Sequence, residues 1–520
     1  MKEIKEFYNN STLIEKRFIL GFSLIAIMLS VSCFFYFMSN KIYFIGSDAY
    51  AYMSMADSLR ENGKLLDITT VTPTPPKTPQ NGIVLVHLIL SYFGLSQYQR
   101  LVSIVLINYI TYLSAIYPLF KISSGLGLQD NKFAMMSLIG AHLGAWHIYR
   151  FELLAINDGV FYTSSIWLTY LIVSFLNRYY KGGGNVSITQ NRYLLLSIFS
   201  LALFSILFRI NTIFIMFSMV LTVLIFDTIN KKYKISILIT VASFSVLGIF
   251  LLIYQSTDLT LINVYLGNVI NGWPGLFDLS NLYELIKRLV LDTMPRIAAR
   301  PIFYGKSNII YTVFLLPPFI TLVKTYKENR PGEMFISLQC IVIFIIGTLV
   351  LNDARYIIHI YPMLYLMIFS IPKTRLIGHL FVFLVFSSTV RTVSREWVRG
   401  PGTDLWLYIY EQSIIIPTDD ILLLTGHWRH AYFFLNTRSY GSPIIKKNGN
   451  VKIPERLSWN LIKQKGSLFV LGDSTYINSA YSQVGKMVVS NGYELKINSI
   501  TPDLDKFEGW ALVKFQIEDN

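Results

Sequence analysis

Residues 18–38 read Phe-Ile-Leu-Gly-Phe-Ser-Leu-Ile-Ala-Ile-Met-Leu-Ser-Val-Ser-Cys-Phe-Phe-Tyr-Phe-Met, directly after Glu15-Lys16-Arg17. The run holds no charged residue, and as a helix rising about 1.5 Å per residue it reaches the roughly 30 Å of a bilayer core. Basic residues precede it and no small-residue cleavage site follows, so it reads as an uncleaved signal anchor. Ten more apolar segments of similar character follow, near 101–120, 133–148, 159–176, 193–208, 211–227, 236–254, 308–323, 334–351, 356–371 and 376–393. The whole composition agrees. Of 520 residues 53% are hydrophobic and only 15% charged, against roughly 25% charged in an ordinary soluble domain. With 36 Phe, 33 Tyr and a mean hydropathy of +0.47, disorder, a coiled coil and a soluble globule are all excluded. Forty-five Lys+Arg against 31 Asp+Glu give a net charge of +14. That charge sits in short loops between apolar segments, so its partner is a lipid bilayer and not nucleic acid. Cys33 and Cys340 both fall inside apolar runs and read as small core residues rather than a disulfide.

Lys and Arg collect on one side of the spans. With the N-terminus cytoplasmic, the inner segments carry Lys2, Lys5, Lys16, Arg17, Lys121, Lys132, Arg178, Lys181, Arg192, Lys231, Lys232, Lys234, Lys324, Lys327, Arg330, Lys373 and Arg375. The short outer turns hold single arginines, Arg150, Arg209 and Arg355. The positive-inside bias therefore orients the chain, and an odd number of spans leaves residues 394–520 outside. That segment is nearly neutral, with 14 Lys+Arg and 13 Asp+Glu. Strands are expected at Ile421–Thr425, Leu468–Leu471, Leu495–Ile497 and Ala511–Ile517, and helices at Trp428–Leu435, Arg456–Lys465 and Ala480–Ser490. Alternation of this kind predicts a small α/β domain.

Two further outer segments, 39–98 and 255–306, are too long to be turns. The first predicts an amphipathic helix over Ser47–Glu61, a loop with Pro73, Pro75, Pro76 and Pro79, and a short apolar helix over Ile83–Phe93 that is too short to cross. In the second, Leu282, Leu285, Ile286, Leu289 and Val290 share one helical face and predict a helix lying on the outer surface. The expected organisation is an α-helical polytopic membrane domain of about 11 spans over 1–393, with outer loops 39–98 and 255–306, and an extracytoplasmic α/β domain over 394–520.

Ionisable residues beside apolar spans are costly unless partnered or functional. Here Asp48, Lys77, His87, Arg150, Glu152, Asp158, Arg209, Arg296, Arg300, Asp353 and Arg355 all map to the outer face. Acids and bases together suit a site that takes a proton from a hydroxyl and steadies a departing phosphate.

Gly46-Ser47-Asp48-Ala49-Tyr50 follows the first span, and Pro76-Lys77-Thr78-Pro79-Gln80-Asn81-Gly82 precedes the short apolar helix. This loop resembles the first periplasmic loop of the GT-C-type membrane glycosyltransferases, which include protein O-mannosyltransferases and the lipid A aminoarabinose transferase. Leu153–Gly159 resembles the acidic start of the fourth span in that superfamily, and Phe208-Arg209-Ile210-Asn211 its Arg-containing turn. Asn352-Asp353-Ala354-Arg355-Tyr356 with Tyr361-Pro362 resembles its late Arg-Tyr…Pro segment, and Ile416–Leu422 the linker into the outer domain of bacterial members. Lys77-Thr78-Pro79 departs from the commoner Lys-Pro-Pro.

The resemblance implies a sugar donor on a polyprenyl monophosphate and an inverting attack by an acceptor hydroxyl. Asp48 would be the catalytic base, and Lys77, Arg209 and Arg355 would bind the donor phosphate. Asp158, Glu152, Arg150 and His87 would order the acceptor or the cations. A bacterial inner membrane is the expected location, and the acceptor is a glycolipid, a polysaccharide or a protein. Plainer readings stand beside these. Asp48 suits a helix start, Arg209 and Arg355 could snorkel to headgroups, and Asp158 could simply pair with Arg150. His87 could be a satisfied interface residue, and Arg296 and Arg300 could contact headgroups. No cofactor is required; a divalent metal is allowed, although the two outer loops hold no Asp-X-Asp pair, and His427 with His430 lack a third ligand. A flippase or transporter of lipid-linked glycans would also explain the spans, and a polysaccharide polymerase would share the substrate class.

Overall fold

The computed structural model describes residues 2–39, 47–70, 82–144, 157–181, 188–209, 211–230, 234–255, 316–346, 359–371 and 374–399. In the last 120 or so residues it describes seven strands and residues 438, 461, 464 and 465, and elsewhere residues 73, 283 and 287 stand as isolated described positions. The chain divides into two compact units. One comprises Met1–Ser39, Thr78–Gly82 and Ser103–Val398; the other comprises Asn40–Lys77, Ile83–Val102 and Arg399–Asn520.

The first unit is helical. Its elements are α1 (Lys2–Asn9) and α2 (Leu13–Ser39), then the body of α5 (Gln97–Ser114), α6 (Ile116–Gly125), α7 (Lys132–Gly144), α8 (Asn157–Lys181), α9 (Ile188–Phe208), α10 (Thr212–Asn230) and α11 (Lys234–Gln255). Four more follow, α12 (Leu316–Glu328), α13 (Pro331–Ile346), α14 (Tyr361–Ser370) and α15 (Arg375–Arg399). Of each apolar segment expected to span, the described residues are almost wholly helical, with 101–120 divided between α5 and α6. Among the described residues five stretches are long and apolar enough to cross a membrane: Leu13–Phe35, Gln97–Gly125, Asn157–Tyr180, Asn191–Phe208 and Thr212–Ile229. The protein is an integral membrane protein.

Local sequence sets the helix boundaries. Thr12 and Glu15 form a reciprocal capping box at the start of α2: the Thr12 amide donates to Glu15 Oε2 at 2.7 Å, and the Glu15 amide donates to Thr12 Oγ1 at 3.3 Å. Pro118, which lacks an amide hydrogen, explains the break between α5 and α6, since it cannot continue the hydrogen-bond ladder across Ala115. Pro331 opens α13 at the position where its missing donor costs nothing. The hub is α8, which packs on α6, α9 and α13. Of its apolar window 72% is buried, against 22% for α2, so α2 lies at the lipid-facing edge.

Gly140 and Gly144, four residues apart on α7, make the closest approaches. A Cβ on Gly140 would strike the ring of Phe22 on α2, and one on Gly144 the ring of Phe386 on α15. Those two rings stack on each other with centroids 5.4 Å apart. Small residues four apart let helices approach in the manner common in membranes, where packing rather than hydrophobicity drives association.

The second unit contains α3 (Ser47–Asn62) and α4 (Gly82–Tyr92, from Ile83 onward), the start of α5, and the C-terminal strands. Ala51, Met55 and Ala56 of α3 pack with Val84 of α4, flanked by Tyr52, Leu65 and Leu88. Both helices match expectation, α4 stopping after 11 residues. The sheet has the order β1-β4-β7-β6-β5, with β1 (Leu423–Thr425) parallel to β4 (Ser467–Asp473) and the rest antiparallel. Val470 pairs with Val513 of β7 (Trp510–Glu518), and Leu495 of β6 (Tyr493–Ile500) pairs with Ile517. Leu468 is buried and its neighbour Phe469 half-buried, as alternation on a one-sided sheet requires. A two-stranded ribbon, β2 (Ile444–Ile445) with β3 (Val451–Lys452), forms a separate sheet whose β3 lies near β5 (Lys486–Val489).

One expectation is corrected. The helix expected over Ala480–Ser490 is replaced at Lys486–Val489 by β5, an edge strand paired with β6. The β-branched Val488 and Val489 favour extended backbone there. The helix expected at Trp428–Leu435 lies outside the described residues. Of Arg456–Lys465, Leu461, Gln464 and Lys465 are helical, and of the helix expected within 255–306, Tyr283 and Lys287 are.

Replacing Gly144 by Leu should lower stability by about 1–3 kcal/mol, the usual cost of overpacking, while Gly144→Ala should cost less. Thermal unfolding of the detergent-solubilised chain checks both.

Candidate functional site

Within the helical unit, one turn and two helix ends gather the buried polar groups. The last helical bond of α9 runs from the Arg209 amide to the Ser205 carbonyl at 3.0 Å. The Thr212 hydroxyl then donates to the Arg209 carbonyl at 3.0 Å and starts α10. Arg209 is thus held in a tight hairpin, only 6% exposed, and its guanidinium forms an ion pair with Asp158. Asp158 lies in the first turn of α8, 2% exposed, where the helix dipole favours a carboxylate. Asn157 and Asn211 are buried beside these residues in sequence.

His359, two residues before α14, is 1% exposed and meets the ring of Phe161 edge-on at 4.8 Å. It lies within electrostatic reach of Arg209, and among the described residues neither ring nitrogen has a hydrogen-bond partner. A carboxylate, a guanidinium and an imidazole therefore converge from α8, the α9–α10 turn and the approach to α14. Gly82 adds a close approach: a Cβ there would meet the Phe208 ring at 2.9 Å, so only glycine lets this segment lie against the residue preceding Arg209.

This geometry places two of the candidate residues. Arg209 does not snorkel; it is buried and paired. Asp158 takes Arg209 as its partner, while Arg150, the partner considered from sequence, lies outside the described residues together with Glu152, Lys77 and Arg355.

In the other unit, Asp48 stands in the first turn of α3, half-buried, with Ala49, Tyr50 and Ala51 buried behind it. Further along α3 is a charged contact that the sequence reading did not single out. Arg100 grips Asp57 through both terminal nitrogens, Nη1 to Oδ1 at 2.7 Å and Nη2 to Oδ2 at 3.1 Å, with both side chains nearly fully buried. Gln97 Nε2 lies 3.4 Å from the same Oδ2. Tyr50, Met53, Ser54, Asp57 and Ser58 are all buried at helical spacing, so Asp57 could have been found as a charge on the inward face of α3. His87 on α4 is fully buried, and among the described residues neither ring nitrogen has a hydrogen-bond partner. Burial, reinforced by the Arg100 charge, depresses its imidazole to about 3. The satisfied interface residue considered from sequence would need partners for its ring nitrogens, and among the described residues they have none. Ser54 Oγ also donates to Asp67 Oδ1 at 3.1 Å, and the Thr69 amide and hydroxyl bond the same oxygen at 3.0 and 2.6 Å, which fixes the loop after α3.

Among the described residues no group of three or more His, Cys, Asp or Glu side chains could hold a metal ion. His427 and His430 lie outside them.

No protein-family model and no curated protein sequence matches the chain. Solved structures do. The archaeal oligosaccharyltransferase AglB from Archaeoglobus fulgidus, in complex with an inhibitory peptide and a dolichol-phosphate, superposes with a TM-score of 0.54 at 12% identity, over 89% of this chain and 70% of its own. The A. fulgidus oligosaccharyltransferase in complex with Zn and sulfate gives 0.50 at 12%, over 86% and 68%. ArnT from Cupriavidus metallidurans bound to undecaprenyl phosphate aligns over 96% of this chain and 98% of its own at 12% identity, with a TM-score of 0.43. At 12% identity what the oligosaccharyltransferase superpositions show is the fold alone, and that polytopic helical fold is the one expected from the sequence.

Two measurements test the buried charges. Asp158→Asn strands the Arg209 charge and should cost about 3–5 kcal/mol, whereas removing both charges with Asp158→Leu and Arg209→Met should recover most of that loss; chemical denaturation in micelles reads both. His87 is neutral in the fold and protonates near 6.5 when unfolded. Stability should therefore fall as pH drops from about 6.5 towards 3, and melting curves at pH 7.5 and 5 should show a smaller loss in His87→Leu.

Proposed function

We propose that the protein is a membrane glycosyltransferase that moves a sugar from a polyprenyl-phosphate donor to an acceptor hydroxyl on the outer face of the membrane, with inversion. The observation that supports this best is a fold similar over 89% of the chain to an oligosaccharyltransferase whose structure holds a dolichol-phosphate, with Asp48 heading the first helix after the first span. In this reading Asp48 takes the proton of the acceptor hydroxyl as its oxygen bonds the anomeric carbon. The bond from that carbon to the phosphate oxygen breaks, and polyprenyl phosphate leaves with both electrons.

Arg209, Lys77 and Arg355 receive that phosphate. A guanidinium already fixed by Asp158 needs no reorganisation as charge develops, which is how preorganised groups lower a barrier. Asp158, Glu152, Arg150 and His87 order the cations or the acceptor. The N-terminus is cytoplasmic and residues 394–520 form the outer domain, covering the site or holding the acceptor. The location is a bacterial inner membrane, and the acceptor is a glycolipid, a polysaccharide or a protein. A divalent metal is compatible with this scheme, and no step is routed through it.

The test is transfer of radiolabelled sugar from defined polyprenyl-monophosphate donors into membrane extracts. Wild type should label a product, and Asp48→Asn should lose at least about 100-fold in rate, the scale of general-base catalysis, while melting normally. Near-normal transfer by Asp48→Asn removes it from the mechanism. Transfer only from pyrophosphate-linked oligosaccharide favours a polymerase, and transport without transfer favours a flippase.

A further inference from the structure

A hollow of about 640 Å³ opens at one end of the helical unit. It is lined by Glu6 of α1, Glu15 of α2, Lys121 of α6, Asp130 of the turn after α6, and Lys132 of α7. A smaller adjoining hollow of about 320 Å³ shares Glu15, Asp130 and Lys132 and adds Arg375 of α15. This end lies away from the Asp158–Arg209 cluster. Arg375 Nε donates to the Phe369 carbonyl in the last turn of α14 at 3.1 Å, whereas His359 precedes the first turn of the same helix. About 15 Å of helix separates them.

We infer that this hollow binds a phospholipid headgroup carrying a phosphate and a primary ammonium, of the phosphatidylethanolamine type. Three carboxylates and two lysines line the larger hollow, which is large enough for a small ligand, and Arg375 joins Glu15, Asp130 and Lys132 around the adjoining one. A purely anionic headgroup would satisfy the cations and meet three like charges. A quaternary ammonium seeks aromatic faces, and the face of Phe7 is occupied by the Lys132 ammonium, 4.1 Å from its centroid. A primary ammonium donates hydrogen bonds to carboxylates, while its phosphate reaches Lys121, Lys132 and Arg375. The floor is fixed, since Phe7 packs edge-on against Phe120 at 5.6 Å.

An amphiphile fits better than a soluble phosphate ester, because apolar side chains exposed on the surface adjoin the lining charges. Leu13 and Ile14 precede Glu15 with 66% and 75% exposure, Phe133 follows Lys132, and Leu376 follows Arg375 at 70%. The charges thus sit at the level where lipid-facing surface begins. This inference is independent of the transfer reaction.

The experiment is native mass spectrometry of the full chain released from nanodiscs of equal phosphatidylethanolamine, phosphatidylglycerol and phosphatidylcholine. Wild type should retain phosphatidylethanolamine over either competitor by about fivefold or more, the worth of a charge-assisted hydrogen bond. Glu6 and Asp130 are exposed, so Glu6→Gln with Asp130→Asn should leave the melting temperature unchanged and bring the preference to parity with phosphatidylglycerol. Equal retention of all three lipids by wild type, or an unchanged preference in the double variant, overturns the assignment. Soluble glycerophosphoethanolamine that displaces the lipid at equal concentration also overturns it, making the site one for a soluble ester.

Discussion

Asp158 and Arg209 are taken out of water together, and that shared burial governs the arrangement around them. Neither charge could sit alone among apolar helices, so α8 must start where the α9–α10 hairpin turns. Breaking either partner leaves an uncompensated ion whose cost rivals the whole stability of many proteins. Everything near the pair is set by it: Thr212 caps the hairpin carbonyl, Asn157 and Asn211 are buried at the two helix starts, and His359 sits within reach of the cation. A binding centre for an anion gains from this, because a guanidinium already held in a dry site is not shared with solvent.

The same logic recurs in the second unit with a different outcome. Asp57 and Arg100 are as deeply buried, held by one hydrogen bond and a second close ion contact, but they join the helix that carries Asp48 in its first turn to the start of α5. The pair fixes how α3 lies on the start of α5, and so sets the frame in which Asp48 is presented. His87, packed into the same unit without a hydrogen-bond partner among the described residues, is a cost borne by that frame rather than a contributor to it.

Apolar runs were the most legible part of the sequence. Segments near 18–38 and 159–176 are long and uncharged enough that a bilayer leaves them one structure, and α2 and α8 cover them. Short runs were harder. Met487-Val488-Val489 gives no period to distinguish helix from strand, and only pairing with β6 makes it β5. The site divided along the same line. Asp158 and Arg209 were visible as charges beside spans, yet their mutual pairing was not, because the partner lies about 50 residues away in sequence and only the packing of α8 on α9 brings the two together. His359 was passed over inside a stretch quoted for its arginine and tyrosines, although a lone imidazole in an apolar segment is unusual in itself. Asp57 was hidden by a helix whose buried face also carries serines.

The two glycines of α7 have a consequence for how the protein is made. Phe22 covers Gly140 and Phe386 covers Gly144, so the first long helix and the last are clasped across the same element. During synthesis α2 can dock as soon as α7 emerges, but the other half of that groove waits for some 240 further residues to be translated. Until then the notch at Gly144 is a bare backbone surface exposed to lipid. The final closure of the bundle is therefore a late event, and a ribosome that stalls before residue 386 leaves an inserted chain in which α2 and α7 are joined but not locked.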